Sequence, residues 1–271
     1  MLANLERTGT LLGRRRTGLC TIEGTRLHER ALRAGVRIEA SLVSAACLSA
    51  PDERIRRLVA DLAAAGVALH VAPDDIVERL TCGRGLGPIV GLARIPPVVP
   101  LERALAAGPI HPPVLLAALG ITDPGNTGAL VRTAHASGAA AFLAVHPTDP
   151  FHPRAVRTSM GSVFRIALVR EASPDRLLDL LASHGIRTCA AVSSGGTPLP
   201  ESDFGTASWC ILIGCEADGL PADVLRRVEL RVSVPMASDI DSLSANAAAA
   251  VLLYAVTSRR PACAREGGAL G

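Results

Sequence analysis

Short apolar runs of strand length alternate with helical patterns throughout the second half of this chain. The run Val114–Gly120 is apolar at nearly every position, and so is Trp209–Ile213. Strands without polar alternation are typical of a parallel sheet that is covered on both faces. The helical patterns between these runs supply the crossover connections that parallel strands need. The alternation therefore predicts an α/β fold with a mainly parallel sheet.

The predicted elements of this half follow one another in strand–helix order. Strands are predicted at Val114–Gly120, Ala141–Val145, Val163–Val169, Thr188–Val192, Trp209–Ile213 and Leu230–Val234. Helices are predicted at Thr127–Ser137, Pro174–His184, Pro221–Val228 and Leu243–Ser258. The last helix is almost wholly apolar, so we expect it to be buried within the chain or against a second copy.

A proline-dense stretch, residues 96–113, divides the chain. Such spacing prevents a continuous strand and is typical of a domain boundary. Strand and helix periods also alternate before it, which predicts a small α/β domain over residues 1–95. Its predicted elements are Leu19–Ile22, Thr25–Ala34, Ile38–Val43, Asp52–Ala65, Ala68–Val71 and Ile89–Ala93. The expected order is thus domain 1–95, linker 96–113 and domain 114–271.

Composition excludes several classes of protein. With 49% hydrophobic and 20% charged residues the chain can bury a core, so it is not a disordered protein. No apolar run approaches the roughly 20 residues of a membrane span, and the first 16 residues lack the apolar centre of a signal peptide. We therefore expect a cytoplasmic protein. The seven cysteines form no C-x-x-C pair and the histidines show no ligand spacing, which argues against disulfides and a metal site.

All 28 basic residues are arginines, and the net charge is only +3. Arginine suits phosphate recognition because its planar guanidinium can bind two oxygens at once. This charge balance alone does not indicate nucleic-acid binding. The cluster Arg14, Arg15 and Arg16 fits a solvated basic tail as well as it fits a contact with RNA.

Polar residues follow three of the predicted strands. The first group is Asp123–Gly128, which leads into the helix that carries Arg132. The free backbone N–H groups at a helix N-terminus can hold an anion. Either Asn126 or Thr127 can cap this helix. An ordinary turn with a surface arginine fits this segment equally well.

The other two groups lie after later strands. Glu216 lies in the loop that follows the buried strand ending at Ile213. The third group begins with Val234-Pro235-Met236 and continues with the hydroxyl and amide residues of Ser242–Asn246. Clustered polar groups at the start of an apolar helix predict a pocket with an apolar floor. A dinucleotide site is not supported, because the glycine spacing differs from G-x-G-x-x-G and no carboxylate ends the next strand.

In this order the three groups resemble the motifs of the SpoU/TrmH family of RNA 2′-O-ribose methyltransferases, a branch of the SPOUT superfamily. The matching patterns are N-x-G-x-x-x-R-T-A from Asn126, G-x-E-x-x-G-L from Gly214, and V-P-M from Val234 followed by S-L. An R-x-S-x-G segment from Arg157 also matches. The resemblance covers residues 114–258. The segments 22–27 and 90–94 are similar, more loosely, to the ribosomal-protein-like RNA-binding domain that many members carry.

This resemblance implies a deep C-terminal trefoil knot, S-adenosylmethionine (AdoMet) bound in a bent form at the knot, and a homodimer formed through the knot region. The implied catalytic residues are Arg132, Asn126, Glu216, Ser242 and Ser244. The implied cofactor-binding residues are Ile213, Gly214, Val234, Met236, Leu243 and Ser193. The expected RNA-binding residues are Arg14, Arg15, Arg16, Arg26 and Arg157.

The family's third motif normally reads S-L-N, but this chain has serine at position 244. Asn246 stands two residues further on, and side chains two apart on a helix point in different directions, so Asn246 cannot simply replace the missing amide. Arg132 would be the central catalytic residue. Because a guanidinium stays protonated in proteins, we expect it to orient a phosphate and stabilise alkoxide charge while phosphate or water accepts the proton.

Three functions stay open at this stage. The favoured one is methylation of a ribose 2′-hydroxyl in ribosomal RNA, either as housekeeping modification or as protection against an antibiotic. The second is the same chemistry on transfer RNA. The third is a catalytically degenerate RNA-binding protein of the same fold, which Ser244 would signal.

Overall fold

The computed structural model describes residues 1–49, 52–81, 87–258 and 260. The chain divides into two compact units. Unit 1 comprises Met1–Pro97 and Phe151–Arg165, and unit 2 comprises Val98–Pro150 and Ile166–Gly271. The chain first passes from unit 1 to unit 2 between Pro97 and Val98, within the predicted linker 96–113. The excursion Phe151–Arg165 was assigned by sequence to the second domain, whereas its contacts are with unit 1.

The elements are numbered in chain order. The helices are α1 (Leu2–Thr8), α2 (Leu11–Thr17), α3 (Thr25–Arg33), α4 (Ala45–Ser49), α5 (Glu53–Ala64), α6 (Asp74–Leu80), α7 (Leu101–Ala106), α8 (Pro124–Ala136), α9 (Pro153–Thr158), α10 (Pro174–Ser183), α11 (Ala222–Arg227) and α12 (Ala245–Thr257). The strands are β1 (Leu19–Glu23), β2 (Ile38–Ser44), β3 (Ala68–Ala72), β4 (Ile89–Arg94), β5 (Val114–Ala118), β6 (Ala141–Val145), β7 (Ala167–Glu171), β8 (Arg187–Val192), β9 (Thr197–Pro198), β10 (Trp209–Ile213) and β11 (Leu230–Ser233).

Unit 1 is built on a four-stranded sheet with the order β1–β4–β2–β3. β4 runs antiparallel to both of its neighbours, while β2 and β3 are parallel. Helix α9 packs against β1. The helix α2 was not predicted: the hydroxyl of Thr10 accepts a hydrogen bond from the backbone N–H of Gly13 at 3.1 Å and caps it. The arginine cluster at 14–16 therefore lies on a helix and not in a solvated tail.

A buried histidine joins helix α3 to the sheet of unit 1. His28 is fully buried, with its Nδ1 2.8 Å from the carbonyl oxygen of Gly24 and its Nε2 3.1 Å from the hydroxyl of Ser41. Because a carbonyl only accepts, Nδ1 carries the proton and Nε2 accepts from Ser41. Burial lowers the pKa of His28 from 6.5 to about 4, although the bond to Gly24 acts in the opposite direction. The ring is therefore neutral in the folded protein at neutral pH.

We expect unit 1 to lose stability as the pH falls below about 6.5. The unfolded chain then takes up a proton at His28 that the folded chain does not bind until about pH 4. The loss is about 1.4 kcal/mol per pH unit, or about 2 kcal/mol between pH 6.5 and 5. Hydrogen exchange of the β4 amides from pH 8 to 5, corrected for intrinsic rates, measures it. His28→Gln should be less stable at pH 8, but its stability should not change between pH 8 and 5. An equal dependence of stability on pH in both proteins would contradict the prediction.

Unit 2 is built on a seven-stranded sheet with the order β7–β6–β5–β10–β8–β11–β9. All of its neighbouring strands are parallel. Every residue of β5, β6 and β10 is buried, because helices cover both faces of the central strands. The predicted α/β fold with a mainly parallel sheet is confirmed.

One predicted strand of this half, Val163–Val169, exists but starts later than predicted. Residues 162–164 form a 3₁₀ turn after Gly161, whose φ of 81° requires the left-handed conformation that glycine adopts readily. β7 begins only at Ala167. The apolar pair Val163 and Phe164 is buried within unit 1, so its hydrophobicity reflects packing there and not a place in the sheet.

The N-terminal cap of α8 also differs from the prediction. The carboxylate of Asp123 accepts a hydrogen bond from the N–H of Asn126 at 2.8 Å, and Pro124 occupies the first helical position. Proline is favoured there because its missing N–H would have no partner within the helix. Neither Asn126 nor Thr127 is the cap, and the helix begins three residues earlier than predicted.

Helix α12 is partly buried within unit 2. It packs against α8, β10 and β5, and its residues Leu252 and Leu253 are fully buried. Val251 and Tyr254 on the same helix are 38% and 72% exposed. Helix α12 was expected to be buried along its whole surface, but within this chain only one of its faces is covered.

Among the described residues, every helix is too short or too polar to span a membrane. Within the same ranges, no group of three or more His, Cys, Asp or Glu side chains could hold a metal ion. The cysteines found there are free, whereas Cys82 and Cys263 lie outside the ranges that the structure describes.

Candidate active site

A cavity of about 450 Å³ lies in unit 2, beyond the carboxyl ends of the adjacent strands β10, β8 and β11. Ligands of open parallel sheets bind at this edge, where the loops after neighbouring strands meet. Most of the cofactor and catalytic residues predicted from the motifs lie in its walls. They are Ser193, Ile213, Gly214, Glu216, Val234, Met236, Ser242 and Leu243.

Glycine at position 214 allows the loop after β10 to fold back on itself. A Cβ atom there would lie 2.2 Å from the carbonyl carbon and oxygen of Gly219, which are backbone atoms that cannot turn away. The turn is closed by the N–H of Gly219, which donates to the carbonyl oxygen of Cys215 at 2.9 Å. The close approach explains the glycines of the G-x-E-x-x-G-L motif in physical terms.

The cavity combines apolar walls with negative charge. Leu225, Val232 and Leu252 supply apolar surface, while Asp218 and Asp241 add two carboxylates to that of Glu216. Sequence analysis missed both aspartates, although one lies in the same loop as Glu216 and the other directly precedes Ser242. Such a cavity suits an organic ligand that has an apolar part and positive charge.

The start of α12 forms one wall of the cavity. The carboxylate of Glu216 accepts a hydrogen bond from the N–H of Ala245 at 3.4 Å. The first N–H groups of a helix have no partner within it, and the helix dipole favours a negative charge there. Ser244 is the cap of the same helix, since its hydroxyl accepts from the N–H of Ala247 at 3.3 Å. Ser244 does not line the cavity.

Arg132 and Asn126 lie on α8 and do not line the cavity either. Arg132 is exposed and Asn126 is half-buried. Helix α8 packs against α12, and the hydroxyl of Thr133 donates a hydrogen bond to Oδ1 of Asn246 at 2.7 Å. The structure thus brings the predicted cofactor residues together in one cavity and connects the helix of Arg132 to it through α12.

Comparison with known proteins decides what kind of enzyme this site belongs to. The profile of the SpoU rRNA Methylase family matches residues 113–254, which include every element from β5 to the first ten residues of α12. The chain belongs to the SpoU rRNA methylase family. The family membership predicted from the motifs is confirmed, and with it the class of enzyme, an RNA methyltransferase.

Individual proteins resemble the chain over most of its length. It is 34% identical over 241 residues to an "Uncharacterized tRNA/rRNA methyltransferase" of Mycobacterium bovis, covering 87% of this chain and 73% of that protein. A crystal structure of an RNA 2′-O ribose methyltransferase superposes with a TM-score of 0.77 at 28% identity, covering 95% of each chain. The SpoU methyltransferase AviRb from Streptomyces viridochromogenes, in complex with AdoMet, shares the fold with a TM-score of 0.81 at 24% identity, covering 95% of this chain and 97% of that one.

The arginines that were expected to bind RNA fall into two groups. Arg15, Arg16 and Arg26 are exposed on unit 1. The expectation for Arg14 is wrong, because its side chain is buried and donates to the carbonyl oxygen of Thr8 at 2.6 Å. Arg157 is also engaged within unit 1, where it pairs with Glu23.

Arg157 forms an ion pair with Glu23 at 2.9 Å, and the two side chains are only 19% and 5% exposed. We expect Arg157→Met to destabilise unit 1 by about 3 kcal/mol, because it takes this partner from a buried carboxylate. Urea unfolding followed by circular dichroism measures the change. The matched control is Arg54→Met, which breaks a more exposed pair with Glu29 at 2.6 Å and should cost less than about 1 kcal/mol. Equal losses would contradict a structural function for Arg157.

Proposed function

We propose that this protein transfers the methyl group of AdoMet to a ribose 2′-hydroxyl of a structured RNA, with ribosomal RNA as the favoured substrate. The observation that carries the proposal is the cavity at the ends of β8, β10 and β11, whose walls contain most of the residues that the motifs single out. Its volume of about 450 Å³ lies within the usual range of small-molecule sites.

The residues of the cavity fit AdoMet. The close backbone approach of Gly214 to Gly219 holds the loop after β10 in a compact turn that forms part of the cavity wall. Val234, Met236 and Leu243 offer apolar contact, and the carboxylates of Glu216 and its neighbours complement the positive charges of the cofactor. AdoMet-bound structures of the same fold, AviRb among them, support this choice. When bound, AdoMet supplies an electrophilic methyl group.

The catalytic work of the chain is then to position and activate the ribose oxygen. Arg132 reaches solvent from α8, where its guanidinium can bind the substrate phosphate and stabilise negative charge that develops on the 2′-oxygen. The proton leaves to phosphate or water, since the guanidinium is already protonated. Glu216 holds the start of α12 in place through Ala245. Ser242 adds a hydroxyl to the cavity wall, and Asn126 lies in the first turn of the helix that carries Arg132.

The choice of RNA is supported by the family, whose name refers to rRNA. The name of the Mycobacterium bovis relative includes both tRNA and rRNA, so transfer RNA is the alternative substrate. We assign RNA docking to unit 1, with Arg15, Arg16 and Arg26 as the contacting residues, because these side chains are exposed. A degenerate RNA-binding protein stays the third candidate because Ser244 replaces the family's asparagine.

The proposal also includes a knot, a homodimer and a cytoplasmic location. The deep trefoil knot would involve residues 191–194, 213–225 and 232–252, the segments from which the cavity is built. A second copy of the chain would cover the exposed residues Val251 and Tyr254 of α12. Sedimentation velocity distinguishes such a homodimer from a monomer. A cytoplasmic location stays a prediction.

Incubation with radiolabelled AdoMet and unmodified large-subunit rRNA or tRNA tests the function, with ribose methylation mapped on the product. We expect label in rRNA. Label in tRNA alone would select the alternative substrate and show that Ser244 is compatible with catalysis. The absence of both label and AdoMet binding would favour the degenerate protein.

A further inference from the structure

The amide group that the family carries at position 244 has no counterpart at that position in this chain. The hydroxyl of Ser244 is used to cap α12, where it accepts from the N–H of Ala247. The nearest amide in the sequence, that of Asn246, lies in the first turn of the same helix. Its oxygen is directed towards α8, not towards the cap.

Asn246 bonds to the residue that follows Arg132. The hydroxyl of Thr133 donates to Oδ1 of Asn246 at 2.7 Å, in a partly buried position, across 113 residues of sequence. A short side chain-to-side chain bond between two packed helices restricts both their separation and their rotation. Consecutive residues of a helix differ by about 100° in direction. Fixing Thr133 against α12 therefore fixes the direction in which Arg132 leaves α8.

The same stretch of α12 borders the cofactor cavity. Ala245, Ala248 and Leu252 line the cavity, and the N–H of Ala245 is held by the carboxylate of Glu216. The first turn of α12 is thus bound on one side to a loop of the cavity and on the other side to the helix of Arg132. A change in one contact alters the placement of the arginine relative to the cavity wall.

We infer that Asn246 is a positioning residue for methyl transfer, and that its amide oxygen holds Arg132 in place by accepting the hydroxyl of Thr133. This inference rests on the proposed function, in which Arg132 acts on the ribose. Asn246 does not replace the asparagine that the family has at position 244. It acts through Thr133 and α8, and does not itself touch the substrate.

The test compares Asn246→Ala with Asn246→Asp. Alanine removes the acceptor, whereas aspartate keeps an oxygen at the same place and is also favourable in the first turn of a helix. We expect kcat of Asn246→Ala to fall about 10- to 100-fold, since misplacing a catalytic group by about 1 Å can cost 100-fold. The KM for AdoMet should stay within about twofold, because the cavity walls are unchanged. Asn246→Asp should retain kcat within about threefold.

Thr133→Val provides the second arm of the test. It should reproduce the loss in kcat, and the double variant Thr133→Val/Asn246→Ala should lose no more than either single variant, because one bond is removed in all three. Additive losses, an equal loss in Asn246→Asp, or a change confined to KM for AdoMet would overturn the inference.

Hydrogen exchange separates this inference from the proposed function. If the wild-type protein methylates neither RNA, the proposed function fails, but the amides of residues 129–135 still report on the placement of α8. We expect them to exchange about tenfold faster in Asn246→Ala and at the wild-type rate in Asn246→Asp. Unchanged exchange in both variants would overturn the inference irrespective of activity.

Discussion

Arg132→Ala is expected to slow methyl transfer about 100- to 1,000-fold and to leave AdoMet binding intact. Arg132 is exposed on α8 and lies outside the walls of the cavity, so its removal takes away a substrate contact and no cofactor contact. Loss of one group that stabilises a developing oxyanion costs about 100- to 1,000-fold in rate. Single-turnover assays with labelled AdoMet measure the rate, and isothermal titration calorimetry measures the affinity for the cofactor.

Two variants make this result specific. Arg132→Lys keeps the positive charge but not the planar fork, so we expect an intermediate rate. Arg176→Ala removes an exposed arginine from α10 of the same unit and should leave the rate near that of the wild type. Near-normal turnover of Arg132→Ala would exclude Arg132 from catalysis.

Gly214→Ala is expected to weaken AdoMet binding strongly. The added Cβ would lie 2.2 Å from backbone atoms of Gly219 and 2.5 Å from the nitrogen of Leu220, so the loop must open to admit it. Overpacking of this kind costs about 1–3 kcal/mol. If that strain falls on the cofactor-binding conformation, the Kd for AdoMet rises about 10- to 100-fold. Calorimetric titration of AdoMet measures the change.

The control for this variant is Gly185→Ala. Gly185 has a φ of 63°, so alanine is strained there too, but no atom lies within 4 Å of the added Cβ. This variant should lower the thermal stability of unit 2 without altering the Kd for AdoMet. Wild-type affinity in Gly214→Ala would show that the loop after β10 does not form the cofactor site.

The sequence alone determined the type of sheet in unit 2 and many of the residues that line the cavity. Continuous apolar runs such as Val114–Ala118 can be satisfied only by burial on both faces, which a parallel sheet with helical crossovers provides. The carboxyl ends of parallel strands lie at one edge, so polar residues that follow different strands, such as Ser193, Glu216 and Ser242, converge there. The order of the three motifs that begin at Asn126, Gly214 and Val234 was enough to recognise the family.

Tertiary structure decided the partner of each polar side chain. Arg14 is buried and Arg157 is paired with Glu23, although both match the pattern of an RNA-binding arginine. The amide oxygen of Asn246 accepts a hydrogen bond from the hydroxyl of Thr133, 113 residues earlier in the sequence. The run Val163–Val169 has the hydrophobicity of a strand, but its first two residues belong to a turn in unit 1 and β7 begins only at Ala167. Hydrophobic periodicity records that a residue is buried, whereas the identity of its neighbours depends on contacts between segments that are distant in the sequence.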